Sequence, residues 1–191
     1  EKTWLNHADL ANGAELVFQM GPQPSRWGTM GDDARLPSLT QGDKPPASLV
    51  DLVDAVKSQV TVEGDDPAAR AVSDNTSETE AVLKGAKPTV QVRFDTAQRV
   101  LMYTITSAAK EGQDPRSWTL EGSSDGVHWT TLDQRRDESF GWRRQTRVFG
   151  VTRPGDFTYY RWRIKQNAAT HGVAVSEIEW LGYPPVSLPP L

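Results

Sequence analysis

Apolar and polar residues alternate through much of this chain, and shifts in the phase of that alternation divide it into segments. In AELVFQM, Leu16, Phe18 and Met20 alternate with Glu15, Val17 and Gln19, the period of a half-buried strand. Asn12-Gly13 precedes it, a pair favoured in type I′ turns because both residues tolerate positive φ; with TWLNHADL before it, the start of the chain reads as a β-hairpin. GPQPSRWGTMGDDARLPS, rich in glycine and proline, then reads as irregular chain. Leu49, Leu52, Val53 and Val56 recur at helical spacing over a short stretch, and residues 34–58 as a whole read as a linker.

From Val60 the pattern becomes that of an all-β unit. Strands are predicted over residues 60–62, 80–84, 89–94, 99–106, 118–122, 129–132, 146–151, 158–165 and 173–182. Turn-rich breaks separate them, which fits a two-sheet β-sandwich over residues 59–183 followed by a proline-rich tail at 184–191. In YYRWRIK, Tyr160, Trp162 and Ile164 share one face while Tyr159, Arg161 and Arg163 share the other, so one side enters the core and the other carries charge. Trp118 and Trp129 flank the SSDG reversal beside Leu120 and Leu132, and are expected to fill the interior with Trp162, Ile164 and Ile178. Near the C-terminus the phase slips: Val173 and Val175 are apolar at odd positions, Ile178 and Trp180 at even ones. A β-bulge around Ser176 and Glu177 would produce that slip and turn Glu177 inward.

Charge narrows the partners. The 191 residues carry 21 Lys and Arg against 25 Asp and Glu, evenly scattered, without the basic stripe that nucleic-acid binding uses. With no cysteine, disulfides and thiolate chemistry are excluded. No apolar run approaches the length of a membrane span, and EKTWLNHADL does not read as a signal peptide.

If successive strands alternate in direction, the loops near 107–117, 134–145 and 166–172 fall at one end of the sandwich. That end would gather Lys110, Asp114, Arg116, Asp137, Glu138, Phe140, Trp142, Arg143, Asn167 and His171. Sugars are held by such a mixture, with an aromatic face against the C–H side of a pyranose and planar or charged groups on its hydroxyls. Trp142 lies in a polar loop beside Gly141 where no periodicity demands burial, and is either a sugar platform or a scaffold residue. His7, His128 and His171 are not spaced as metal ligands on one element. No two carboxylates stand out as the facing pair a glycosidase requires.

Three stretches in order, SWTLEGSSDGVHWTTLD, SFGWRRQTRVF and YYRWRIKQNAATHGVAVSEIEWLG, resemble the coagulation factor 5/8 type C, or discoidin-like, family, which includes carbohydrate-binding module family 32. The resemblance implies an all-β, galactose-binding-like jelly-roll β-sandwich, here preceded by the short N-terminal β-hairpin. Its ligand loops would place Trp142, Phe140, Arg143, Arg116, Asn167 and His171 against a mannose- or galactose-type glycan. GAELVFQMGPQPSRWGT is similar to the closing strand and tail of the glycoside hydrolase family 92 catalytic region, an exo-acting α-mannosidase. Residues 1–33 would then be the edge of an upstream catalytic region of the same chain. The implied function is a non-catalytic carbohydrate-binding module of a secreted bacterial exo-α-mannosidase, extracellular or at the cell surface. The alternative is a structural domain that packs on the catalytic region without a ligand of its own. The resemblance also implies calcium, held by Glu177, backbone carbonyls and the acidic loop SDNTSETE, with Asp74 and Thr79 at matching places and Thr76 where an Asp is usual. On the residues alone, Glu177 has other candidate partners, an arginine such as Arg70 or Arg161, or water.

Overall fold

Side chains alternate between inside and outside along the long strands, and this sets two antiparallel sheets face to face. The computed structural model describes residues 5, 7–11, 13, 15–23, 47–62, 66–85, 87–165 and 172–184, and divides into two units, Glu1–Ala47 and Ser48–Leu191.

In the first unit, α1 (His7–Leu10) is a single helical turn, closed by Ala11 N–H donating to the His7 carbonyl and Gly13 N–H to the Leu10 carbonyl, both at 3.0 Å. Gly13 sits at φ +80°, in the left-handed region where glycine commonly ends helices, so it terminates a helical turn instead of reversing a hairpin. Residues 15–20 form no strand, and Phe18 is 71% exposed. Among the described residues the predicted hairpin does not form; two strands without a sheet to lie on bury too little apolar surface to hold together.

The second unit is the sandwich. Its elements are β1 (Val50–Asp51), α2 (Leu52–Ala55), β2 (Ser58–Val62), α3 (Asp66–Ala71), β3 (Ala81–Leu83), β4 (Thr89–Arg99), β5 (Met102–Ser107), β6 (Ser117–Ser123), β7 (Thr130–Arg135), β8 (Thr146–Gly150), β9 (Asp156–Lys165) and β10 (Val173–Gly182). One sheet runs β1-β10-β5-β8, with β3 also paired to β10; the other runs β2-β4-β9-β6-β7. The sandwich takes in residues 50–58, which the sequence reading placed in a linker. Val50 pairs with Gly182, Leu52 is fully buried, and the Asp51 carboxylate accepts from Val53 N–H at 3.0 Å and Trp180 N–H at 3.1 Å. This short segment is thus capped and pinned to β10 at once. Gly182 has no room for a side chain: an added Cβ would lie 2.5 Å from the Arg99 carbonyl and 2.7 Å from Leu52. Because a backbone oxygen cannot swing aside, Gly182→Ala is expected to lower stability by about 1–3 kcal/mol in a urea melt.

Trp118, Trp162, Ile164 and Ile178 are buried as expected, and Trp118 packs edge-on against Phe149 (5.1 Å) and Trp162 (5.8 Å). A polar chain crosses between the sheets inside this apolar centre. The Trp118 indole N–H donates to Tyr103 Oη (2.8 Å), which donates to Asp133 (2.8 Å); Asp133 also accepts from Arg135 Nε (2.7 Å) and the Thr152 hydroxyl (2.5 Å).

Trp129 departs from expectation. It is only half-buried and lies in the turn before β7, with its indole N–H donating to the Gly126 carbonyl at 3.1 Å and the Arg161 guanidinium 3.9 Å above its ring. Leu132 faces inward, and a residue three positions away in extended chain faces the other side. That parity was present in the sequence and assigns Trp129 to the outer face.

Candidate ligand-binding site at the loop end of the sandwich

The loop preceding β6 and the loop between β7 and β8 meet at one end, as strand alternation requires. Glu138 N–H donates to the Arg116 carbonyl at 2.9 Å, and Arg143 forms a two-pronged ion pair with Asp114, at 2.8 and 2.7 Å. That hydrogen-bonded carboxylate holds the Arg143 guanidinium above its ordinary pKa, partly offset by burial. Ser107 is the second brace: its hydroxyl donates to the Trp142 carbonyl (3.3 Å) and accepts from Gln145 N–H (2.9 Å). Asp137 and Arg144 adopt positive φ, 55° and 54°, and so make the sharp bends on either side.

These braces leave the indole of Trp142 facing outward, 66% exposed on a backbone that is held at several points. Phe140 does the opposite. It is buried, with Arg147 stacked 5.6 Å from its ring, and Arg147 is itself paired to Glu138 at 2.8 Å, so Phe140 supports the loop instead of facing solvent. Arg143 is largely consumed by Asp114, whereas Arg116 is exposed. Asn167 and His171 lie outside the described residues.

The SSDG reversal is at the other end, between β6 and β7. Asp125 accepts from the backbone N–H groups of Val127 and His128, each at 2.8 Å, and contacts His128 Nδ1 at 2.6 Å. The His128 contact depresses the Asp125 pKa, and Asp125 in turn raises that of His128. Gly126 takes φ +75° there. The Gly-Ser-x-Asp-Gly-x-x-Trp pattern thus locks a turn.

A second feature lies under the loop after α3. The register of β10 against β5 shifts between Val175 and Glu177, at the predicted bulge, and Ile178 N–H donates to the Val72 carbonyl at 2.9 Å. Glu177 is turned inward, 6% exposed, and neither carboxylate oxygen has a hydrogen-bond partner. Burial foremost, and then the neighbouring Asp74 carboxylate, push its pKa up to about 8; the amides of Thr76 and Asp74 offset part of this without reaching hydrogen-bond geometry. Thr79 Oγ1 donates to both oxygens of Asp74, at 2.9 and 2.7 Å, so all three residues named for a metal come to one place. The arginine alternative is overturned: Arg70 is exposed and Arg161 is on the opposite sheet, paired to Glu121.

No protein-family model matches the sequence, and no curated protein matches it. Solved structures do match in shape. The F5/8 type C domain of a Bacteroides fragilis protein superposes with a TM-score of 0.56 at 14% identity, covering 72% of this chain and 97% of that one. The fold is that of an F5/8 type C domain. Chitosan-binding module 1 of a chitosanase/glucanase from Paenibacillus sp. IK-5 gives 0.54 at 19% identity, covering 67% of this chain and 96% of that one. CpGH89CBM32-5 from Clostridium perfringens, in complex with GalNAc-β-1,3-galactose, gives 0.53 at 9% identity, covering 64% of this chain and 93% of that one. At these identities the likeness is one of fold, and the side chains at the loop end are this chain's own. Among the described residues no helix is long and apolar enough to cross a membrane.

Proposed function

We propose that this chain is a non-catalytic carbohydrate-binding module that takes a mannose- or galactose-type glycan at the loop end, ancillary to a secreted bacterial exo-α-mannosidase. The observation that carries the reading is Trp142: an indole held outward on a braced loop presents a ready platform for the C–H face of a sugar, with little ordering left to be done on binding. Arg116, exposed on the neighbouring loop, is the candidate for hydroxyl contacts. Chitosan and GalNAc-β-1,3-galactose, bound by proteins of the same fold, support the ligand class. The resemblance of residues 13–29 to the tail of a family 92 catalytic region supports the parent enzyme, and with it a site of action outside the cell. A tethered module of this kind works by raising local concentration, so modest affinity suffices.

A glycan-array screen followed by calorimetry tests the reading. Trp142→Ala is expected to weaken binding by ~1–3 kcal/mol with an unchanged melting temperature, because an exposed indole contributes little to the core. Absence of binding to any glycan would favour the structural alternative, for which the exposed apolar run Leu16, Val17, Phe18 and Met20 is the supporting observation.

The surroundings of Glu177 support a calcium site. Two orphaned, buried carboxylate oxygens beside a second carboxylate form the hard-oxygen donor set that calcium prefers, and Thr79 Oγ1 with backbone carbonyls of the loop after α3 would complete it. Its role would be structural, tying that loop to the β10 bulge.

A further inference from the structure

The outer face of the β2-β4-β9-β6-β7 sheet carries a feature that neither the loop-end site nor the calcium pocket uses. Strand pairing aligns side chains across it in rows: Thr61 beside Gln91 beside Arg161 beside Glu121, and Thr89 beside Arg163 beside Thr119. Lys84, Gly85 and Lys87, with Thr61 and Val62, border a groove of about 880 Å³. Lys87, Arg161 and Arg163 line it together with Lys84, with Gln91 and Thr89 on its floor, and among the described residues that line it none is acidic. Among the described residues, Glu121 pairs with Arg161 and stands 3.8 Å from Arg163, a looser ion pair that leaves the Arg163 guanidinium without a hydrogen bond to it. The chain as a whole is acidic, net −4, so this concentration of cations is local.

We propose that this groove is a second binding site, for a carboxylated saccharide chain such as an oligouronate. Guanidinium forks match carboxylates in two-point geometry, and lysines add charge without demanding direction. Gln91, Thr61 and Thr89 supply the amide and hydroxyl partners that sugar hydroxyls need, while the volume lies in the range of sites that enclose several rings' worth of ligand. A uniformly basic surface would suit nucleic acid; a single lined groove on an acidic protein suits a short polyanion. The choice of a saccharide as occupant rests on the glycan-binding reading above, whereas the preference for negative charge rests on the groove alone.

Calorimetric titration of the full chain with trigalacturonate, with neutral galactotriose and with a sulfated trisaccharide tests this. Trigalacturonate is expected to bind at least tenfold more tightly than galactotriose, with affinity falling as salt rises. The double variant Lys87→Ala/Arg163→Ala, both on the outer surface and checked for fold by circular dichroism, should lose tenfold or more, and Trp142→Ala should leave uronate binding unchanged. Equal affinity for charged and neutral trimers, uronate binding abolished by Trp142→Ala, or failure of the folded chain to bind trigalacturonate would each overturn the site. Tighter binding of the sulfated trimer would overturn the assignment to carboxylates. Loss of neutral-glycan binding at the loop end is scored separately by Trp142→Ala, so the two readings fail independently.

Discussion

Asp133→Ala is expected to lower the unfolding free energy by about 3–5 kcal/mol, with the melt remaining cooperative. Asp133 is 3% exposed and receives hydrogen bonds from Tyr103, Thr152 and Arg135 inside the sandwich. Removing it leaves a half-buried guanidinium without its counter-charge and two hydroxyls without acceptors, in a medium where each costs more than in water. Tyr103→Phe, which deletes one donor and keeps the ring, should cost about 1–3 kcal/mol. Burial works to raise the Asp133 pKa, but the hydrogen bonds from Arg135, Thr152 and Tyr103 outweigh it, so the folded value lies below the ordinary 3.8. Its contribution is therefore fully present above that pH and drains away as pH falls toward the lower folded value. The gap between urea melts of wild type and Asp133→Ala should be smaller at pH 3 than at pH 7. A cost below about 1 kcal/mol at pH 7 would show that the chain of bonds does not tie the sheets together.

Calcium and pH should act on Glu177 in opposite senses. Without a cation, its carboxyl stays protonated in the folded chain up to about pH 8, whereas in the unfolded chain it ionises near 4.5, so unfolding releases a proton across that interval. Stability in chelator is therefore expected to fall as pH rises from 4.5 to 8, by an amount on the order of 5 kcal/mol. Calcium neutralises the ionised carboxylate and stabilises by mass action, so the difference between calcium and chelator should be greatest near pH 8. Glu177→Gln, which cannot ionise, should lose both the decline and the calcium response and should exceed wild type in chelator at pH 8. Superimposable wild-type melting curves with and without calcium at pH 8 would rule the cation out.

The bulge that orients Glu177 was legible as a slip in hydrophobic phase, because a bulge is a local event written into consecutive residues. The turn lock around Asp125 was legible for the same reason. The N-terminal hairpin was misread: alternation in Leu16, Phe18 and Met20 describes a strand that has a sheet to pair with, and periodicity carries no information on whether one is there. The linker was misread too, since three residues, Val50, Asp51 and Leu52, suffice to join β10 and the core when a cap and one buried side chain anchor them.

Strand alternation and turn chemistry are properties of near neighbours, so the class of the fold, most of the core and the end of the sandwich at which Trp142 stands can be read from the order of residues. Which loop residues remain free depends on packing between distant segments. Arg143 and Phe140 looked equivalent to Trp142 along the chain, but an ion pair to Asp114 and a stack under Arg147 draw them into the scaffold. The same holds for the cationic groove and for Trp129, whose partners come from strands far apart in sequence. Which polar group finds a partner, and which is left for a ligand, is settled by pairings between distant segments, and those exist only once the sheets have closed.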